Sequence, residues 1–310
     1  MPIAVKRSLK RSARRILPRQ LYEGAKEALF SFRLADLERR QTITDAAVAH
    51  ALYGDSAIMA EAPAMGLTAF ELTIQSQNGE DGILLHLLGH QRDLTRTIVE
   101  IGAGNGVECN SANLILNWGW SGLLIDGDPQ EVEFAQRFYR SKIQDHQARV
   151  RNVRAFVTTE NVNLLVDGYA DADVLSIDID GNDYWVWDAI TIDPPIVVIE
   201  YNASFGPTAS LTIPYDREFE RFTAHSSGYY HGASLVALTR LAKGRGYELA
   251  GGDSQGVNAF FIRADRVSES IPLVSPEDAW RPHAVRCREM SHAAQQEVLL
   301  QAGPFVTIDE

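Results

Sequence analysis

The chain contains 310 residues, 45% of them hydrophobic, and carries a formal net charge of −12. It is long enough to bury a sizeable core, and its acidic balance argues against a binding surface for nucleic-acid phosphates. Two cysteines, Cys109 and Cys287, do not make a disulfide framework. No apolar run reaches the roughly 18–20 residues of a membrane span, and no signal-peptide core follows the start, so we expect a cytoplasmic protein.

The first 40 residues are basic, with 11 Lys and Arg side chains against 4 acidic ones. Two interpretations of this arm are open: it contacts an anionic membrane surface or a lipid-linked substrate, or it is a solvated terminus. The rest of the chain divides into a helical lead-in (41–75), a main α/β domain (76–265) and a C-terminal helical extension (266–310).

A strand, a glycine turn and a helix are predicted around the stretch IVEIGAGNG, residues 98–106. β-Branched residues lead into Glu100 and suit a buried strand. Gly102, Gly104 and Gly106 then recur at alternate positions, where backbone can approach a bound ligand closely. The third glycine comes one residue earlier than in the dinucleotide motif G-x-G-x-x-G. This order of elements predicts the first unit of a doubly wound α/β domain.

The pattern E-x-G-x-G-x-G after a strand resembles the first motif of the class I S-adenosylmethionine (SAM) methyltransferases. In that family the acidic residue steadies the glycine loop or the amino group of the methionine moiety, and the loop passes under the cofactor. The resemblance therefore implies cofactor binding by Glu100, Gly102, Gly104 and Gly106. Any other βα turn rich in glycine is the alternative interpretation.

Residues 76–90, SQNGEDGILLHLLGH, predict a helix, because Ile83 and Leu87 lie on one helical face. This helix resembles the one that precedes the first strand in methyltransferases and covers the cofactor. The string also resembles the S-Q-x-G-[QE]-D segment of the FkbM-type methyltransferases, which implies cofactor contacts for Gln77 and Asp81. Capping of the helix is the alternative role for these two side chains.

A second apolar strand ends in a carboxylate at Asp126, 20 residues after Gly106. That gap is about one helix plus one strand, and an acid at this place accepts hydrogen bonds from ribose hydroxyls. The string GWSGLLIDGDP, residues 119–129, resembles the FkbM-type segment G-W-x-G-x-x-I-E-x-x-P. The match implies the ribose role for Asp126, with Asp128 as the second candidate. A surface turn is the alternative.

A third strand is predicted from Val153 to Val157, and polar side chains follow the next two strands. Asp178 and Asp180 come after the fourth strand, and Glu200 and Asn202 after the fifth. The ligand crevice of a doubly wound sheet lies outside the carboxyl ends of its strands, so we expect a catalytic cluster there. Asp178, Glu200 and Asn202 also offer the oxygen ligands that Mg²⁺ prefers. Hydrogen bonding without a metal is the alternative.

The string DVLSIDIDGND, residues 173–183, resembles the K-I-D-x-E-G-x-E segment of the FkbM-type proteins, with Asp178 and Asp180 at its acidic positions. The family's lysine is Ser176 here, and Asp183 comes one residue earlier than the family's last glutamate. The acids and Asn202 also resemble the metal site of catechol-type O-methyltransferases, although that type has adjacent aspartate and asparagine.

The segment from 208 to 234 contains two histidines, His225 and His231. Long loops after a late strand often form lids or substrate walls. A histidine can act as a general base near neutral pH, and we predict this catalytic role for His231 beside Asp178 and Asp180. A surface or hydrogen-bonding role is the alternative for each histidine.

The sequence ends with a predicted antiparallel strand pair and a helix from Pro276 to Leu300. Together the elements predict a Rossmann-like methyltransferase fold: a doubly wound, mainly parallel seven-stranded sheet with a C-terminal antiparallel hairpin. The FkbM-type resemblance covers about residues 76–263. It implies an enzyme that uses SAM to O-methylate a sugar, glycolipid or other small natural product, while the catechol-type resemblance makes Mg²⁺ a candidate second cofactor.

Two alternatives of other classes stay open. A metal-dependent glycosyltransferase could use Asp178-x-Asp180, and binding of a nucleotide sugar in place of SAM would reveal it. A non-catalytic SAM-binding module would bind SAM without turnover on any acceptor.

Overall fold

The computed structural model describes residues 66–309, so the basic arm and most of the predicted lead-in lie outside the described residues. The strands are β1 (Thr97–Ile101), β2 (Ser121–Asp126), β3 (Val150–Arg154), β4 (Val174–Ile177), β5 (Ile196–Glu200), β6 (Leu211–Thr212), β7 (Tyr247–Gly252), β8 (Asn258–Arg263) and β9 (Val306–Thr307). The α-helices are α1 (Glu80–Gly89), α2 (Asn110–Trp118), α3 (Pro129–Lys142), α4 (His146–Arg149), α5 (Val162–Leu165), α6 (Asp183–Ala189), α7 (Arg221–Ala224), α8 (Leu235–Gly244), α9 (Pro276–Ala279), α10 (Arg286–Glu289) and α11 (His292–Gln301). Within residues 66–309, no helix combines the length and apolar character needed to cross a bilayer.

Seven strands form one sheet in the order β3-β2-β1-β4-β5-β8-β7. Strands β1 to β5 pair in parallel, whereas β8 runs antiparallel to β5 and β7 antiparallel to β8. The predicted fold is confirmed: a mostly parallel, Rossmann-like sheet with a C-terminal antiparallel hairpin. The chain order reverses between β1 and β4, and a doubly wound sheet binds its ligand at the carboxyl ends beside such a reversal.

Burial on both faces explains the apolar sequences of the central strands. Every residue of β4 and β5 is buried, as parallel strands covered by helices require. From α6, Trp187 packs against Phe261 of β8 and Tyr247 of β7, with ring-centroid distances of 5.0 and 6.0 Å. Burial of a side chain such as Phe261 contributes roughly 1.5–3 kcal/mol, and these contacts fix the hairpin against the parallel part of the sheet.

The third strand lies a few residues earlier in the chain than predicted. β3 ends at Arg154, which is opposite Asp126 and is the last residue in register with β2. The residues that follow form a turn instead, in which Asn161 Oδ1 accepts from the Thr158 N–H at 2.8 Å. The side chain of Asn161 therefore replaces strand pairing as the hydrogen-bond partner of this segment.

The helix predicted from Pro276 to Leu300 is divided into α9, α10 and α11. Pro282 follows α9, and proline has no N–H with which to continue a helix. Ser291 then begins α11 by accepting a hydrogen bond from the Ala294 N–H, as N-cap residues do. The breaks let the C-terminal extension turn around the end of β5.

Candidate active site

The glycine turn between β1 and α2 lies against the end of β4. Gly102 has a φ of +87°, and a Cβ atom on it would lie 1.6 Å from the backbone oxygen of Asp178, an approach that only glycine permits. Gly104 has a φ of +51°, but a Cβ there would meet no atom of the described residues within 4 Å. The turn is therefore packed at Gly102 and borders open space at Gly104. Gly106 packs beneath Tyr139, whose hydroxyl donates to its carbonyl.

Glu100, the last acid before the turn, holds the start of α2. Its Oε1 accepts from the Asn110 N–H at 2.9 Å and its Oε2 from the Ser111 N–H at 2.8 Å. A carboxylate is favourable at a helix N-terminus because it meets unpaired N–H groups there. The side chain is buried, and desolvation raises the pKa of its carboxyl. The same contacts bring Glu100 to the wall of a cavity.

Asp126 at the end of β2 is tied to the turn. Its Oδ2 accepts from the Gly104 N–H at 2.8 Å, and its Oδ1 accepts from the Asp128 N–H at 2.8 Å. Asp128, the second candidate for the ribose role, instead caps α3 by accepting from the Gln130 N–H at 2.7 Å. The structure thus separates the two acids, since Asp126 lines a cavity whereas Asp128 serves a helix.

Two cavities flank the glycine turn, with volumes of about 400 and 370 Å³. They share three residues, Gly102, Gly104 and Asp178. The first cavity is bordered by polar and acidic side chains, among them Gln77, Glu80, Glu100, Glu108, Glu131 and Asn258. The second is bordered by the polar side chains of Asp126, Asp180 and Asn182 and by apolar side chains that include Phe156, Val157 and Phe219. A ligand spanning both would have one end in an acidic cavity and the other in a cavity that combines polar and aromatic side chains.

Gln77 and Asp81, predicted together as cofactor contacts, occupy different places. Gln77 borders the first cavity. Asp81 is buried, and its Oδ2 accepts from the N–H groups of Ile74, Gln75 and Ser76 at 2.8, 2.6 and 2.8 Å. Burial nevertheless raises the pKa of its carboxyl to about 6. Asp81 therefore orders the loop that carries Gln77, a role close to the capping alternative.

Carboxylates gather at the ends of β4 and β5. One oxygen each of Asp178, Asp183 and Glu200 lies within 4.8 Å of the others. Desolvation, followed by repulsion from neighbouring carboxylates, raises the pKa values of Asp178 and Glu200 well above their usual range. Asp183 accepts from the Ile179 N–H at 2.8 Å and from the Gly181 N–H at 2.9 Å, so it shapes the turn into α6.

Asp180 lies beside this group, with one carboxylate oxygen within 4.8 Å of Glu200 and His231. It forms an ion pair with Arg221 of α7, and its φ of +57° is unusual for a residue other than glycine. Of the two predicted catalytic acids, Asp178 borders both cavities, whereas Asp180 borders the second cavity alone and is paired with the guanidinium of Arg221.

Asn202, one of the three residues predicted to bind Mg²⁺, is engaged by other groups of the protein. The Nδ2 of Asn202 donates to the carbonyls of Tyr229 and His231, and its Oδ1 accepts from the Ser204 N–H and from Nη1 of Arg286. The amide is therefore committed to the protein itself. Asp180, Glu200 and His231 form a second group within 4.8 Å, but Asp180 pairs with Arg221 and His231 contacts Arg286. Asp178 and Glu200 as metal ligands stay a prediction, since one oxygen of each lies within 4.8 Å of Asp183.

His231 lies in the cluster, but its contacts do not suit the predicted role of general base. Its side chain is buried, and its Nε2 lies 3.0 Å from Nη2 of Arg286. Because arginine only donates, Nε2 must be the acceptor, and its lone pair is not free for a substrate proton. Desolvation and the nearby Arg286 and Arg221 lower the pKa of His231 well below its usual range. His225 contacts Ser227 within its own loop.

Sequence reasoning missed both Arg221 and Arg286 of this site. Arg286 belongs to the C-terminal extension and lies 55 residues from His231 and 84 residues from Asn202 along the chain. Neither a motif nor a strand end marks it. Only the packing of the extension on the end of β5 brings its guanidinium to the cluster.

The chain matches no protein-family model and no curated protein, but it is similar to solved methyltransferase structures. The structure of the mitomycin 7-O-methyltransferase is 18% identical, with a TM-score of 0.34 over 54% of this chain and 49% of that one. An O-methyltransferase family protein from Burkholderia thailandensis is 14% identical, with a TM-score of 0.37 over 71% of this chain and 58% of that one.

Magnesium protoporphyrin IX methyltransferase from Synechocystis, solved with bound SAM, is 11% identical, with a TM-score of 0.36 over 59% of this chain and 77% of that one. The chain spans about half the length of the first of these proteins and less than two thirds of the second. These superpositions are loose, and the fold follows from the strand order rather than from them.

Proposed function

We propose that this chain is a SAM-dependent methyltransferase that O-methylates a hydroxyl group of a sugar, a glycolipid or another small natural product. The observation that carries the proposal is the glycine turn between two cavities that meet at Gly104 and Asp178. SAM has a charged methionine end and an adenosine end, and its reactive methyl group is on the sulfonium between them. Two chambers of different polarity on either side of one turn match that order.

The polarity of each cavity supports one end of the cofactor. In the first, Glu100 and the other carboxylates favour an ammonium group and a positive sulfonium. In the second, Asp126 suits a ribose diol, because an ionised carboxylate only accepts hydrogen bonds. Phe156 is 55% exposed and offers adenine a flat apolar surface. The backbone of Gly104 holds Asp126 in place for this contact.

The proposed reaction moves a methyl group from the sulfonium to an acceptor oxygen. The C–S bond breaks as the O–C bond forms, S-adenosylhomocysteine leaves as a neutral thioether, and the acceptor hydroxyl loses its proton. The protein must position the hydroxyl and remove that proton. We assign proton removal to Asp178, which borders both cavities beside the glycine turn, and to Glu200, one oxygen of which lies within 4.8 Å of an oxygen of Asp178.

The contacts of Asp180 favour this proposal over a glycosyltransferase. A metal-binding Asp-x-Asp pair needs both carboxylates on one ion. Here Asp180 borders the second cavity together with Asp178, but it forms an ion pair with Arg221. The positive charge of Arg221 beside Asp180 disfavours a metal ion at this pair of acids.

Transfer from methyl-labelled SAM to a panel of glycans and glycolipids tests the proposal. We expect label in at least one acceptor, with equal rates in EDTA and in Mg²⁺. Arg288→Met, which changes an exposed residue of α10, is the control variant and should transfer like the wild type. SAM binding without transfer to any acceptor would instead support a binding module. A rate abolished by EDTA would contradict the equal rates expected in EDTA and in Mg²⁺ and would show that a metal takes part.

A further inference from the structure

The C-terminal extension is docked on the residues that follow β5. Nε1 of Trp280 donates to the carbonyl of Ala203 at 3.2 Å, and Nε2 of Gln296 donates to the carbonyl of Phe205 at 2.8 Å. Gln295 is almost fully buried, and its Oε1 accepts from the Ser204 hydroxyl at 3.1 Å. These contacts hold the segments on both sides of α10 against the end of β5, which places α10 beside the acidic cluster.

This docking places the guanidinium of Arg286 at a defined position. Its Nη1 donates to Oδ1 of Asn202 at 3.1 Å, and its Nη2 lies 3.0 Å from Nε2 of His231. The ring of Tyr229 lies 5.8 Å from its Cζ, within range of a cation–π contact. Since arginine has no acceptor, Nε2 of the neutral imidazole must accept, and the ring proton is left on Nδ1.

The Nδ1 atom of His231 is buried and finds no hydrogen-bond partner among residues 66–309. It lies 3.7 Å from Oε2 of Glu200. A buried donor without an acceptor costs about 1–3 kcal/mol. A shift of Glu200 by several tenths of an ångström would bring Nδ1–H within the usual hydrogen-bond distance. Nδ1–H of His231 is therefore a donor beside the carboxylate of Glu200, whereas Nε2 faces Arg286.

We propose that Arg286 fixes His231 in its Nδ1–H tautomer, directed at Glu200, and that His231 is a positioning residue for this carboxylate instead of a base. Through these contacts, Arg286 and His231 connect the C-terminal extension to Glu200 at the end of β5. The inference rests on the proposed function for the task of Glu200, but the tautomer and its cause are properties of the folded chain alone.

Nitrogen-15 NMR of the full chain, labelled at histidine, tests the tautomer of His231 and needs no methyl-acceptor substrate. The ring signals of His231 are identified by their absence from the spectrum of His231→Gln. We expect a protonated Nδ1 and an unprotonated Nε2 at neutral pH. In Arg286→Met the Nε2 atom loses its donor, and we expect the signals to move toward the Nε2–H tautomer. Arg288→Met is the matched control, two residues further along the same short helix, and should give the wild-type spectrum.

Two results would overturn the proposal: an Nε2–H ring in the wild type, or an unchanged ring in Arg286→Met. If Arg286→Met does not fold, the wild-type spectrum still decides, because only the Nδ1–H form agrees with donation from Arg286. Calorimetry with SAM on the same samples is a separate readout. Absence of SAM binding would count against the proposed function while leaving the tautomer result intact.

Discussion

The carboxylate of Asp126 accepts a hydrogen bond of 2.8 Å from the backbone N–H of Gly104. The contact joins the end of β2 to the turn after β1, 22 residues earlier in the chain. The second oxygen of Asp126 accepts from the Asp128 N–H, so both oxygens help to shape the site while each keeps a lone pair for a ligand. The proposed cofactor site therefore depends on two strand ends held together by backbone contacts.

Asp126→Ala should weaken SAM binding by about 1–3 kcal/mol, the usual cost of leaving hydrogen-bonding groups unpaired. Titration calorimetry measures this change. Asp128→Ala is the matched control, because it removes the cap of α3. It should lower the free energy of unfolding by about 1 kcal/mol and leave the SAM affinity unchanged. Equal losses of affinity in the two variants would show that Asp126 has no contact of its own with the ribose.

Gly102→Ala should mainly lower the stability of the fold, whereas Gly104→Ala should mainly lower the affinity for SAM. At Gly102 the added methyl would lie 1.6 Å from the Asp178 backbone oxygen, so the strand ends must separate. We expect a loss of several kcal/mol in the free energy of unfolding. At Gly104 the methyl meets open space, and the left-handed backbone costs only about 1–2 kcal/mol. That variant should fold and lose SAM affinity, because the methyl projects into the proposed site. Urea unfolding and calorimetry distinguish the two, and equal stabilities would contradict the packing described at Gly102.

Asp178→Asn and Glu200→Gln should abolish methyl transfer while SAM still binds. Removal of a general base typically lowers the rate by about 10² to 10⁴. Asp180→Asn is the comparison, because its carboxylate pairs with Arg221 at the rim and should matter less. Rates come from single-turnover transfer and affinities from calorimetry. Wild-type rates in both Asp178→Asn and Glu200→Gln would remove these residues from the mechanism.

Asp253 should give the stability of the fold a measurable pH dependence. Burial raises the pKa of its carboxyl from 3.8 to about 7. Between these values the folded chain holds a proton that the unfolded chain has released, so stability falls as the pH rises from 3.8 to about 7. Asp253→Asn removes this contribution. Urea unfolding across that range should show the wild type losing stability relative to the variant as the pH rises, whereas parallel curves would refute the assignment.

The sequence was sufficient to predict the sheet and the ends of its central strands. Apolar residues rich in valine and isoleucine mark β1, β4 and β5, a glycine follows β1, an acid follows β4, and an acid is the last residue of β5. Because parallel strands end at one edge, these local signals also predict which side chains meet there. The proximity of Asp178 to Glu200 was predictable for this reason.

The partners of those side chains were not predictable from local patterns. Asn202 was predicted as a metal ligand, but its amide is saturated by Tyr229, His231, Ser204 and Arg286. Arg286 comes from an extension whose helices break where Pro282 and Ser291 occur. Long-range packing decides which basic residue of the extension reaches the acidic cluster. The spacing of residues along the chain does not predict this contact.

The most direct test of the proposed function is a calorimetric titration of the full chain with SAM in the presence of EDTA. We predict saturable binding of one SAM per chain, competition by S-adenosylhomocysteine, and no binding of a nucleotide sugar such as UDP-glucose with or without Mg²⁺. Absence of SAM binding, together with Mg²⁺-dependent binding of the nucleotide sugar, would contradict the methyltransferase assignment and favour the glycosyltransferase.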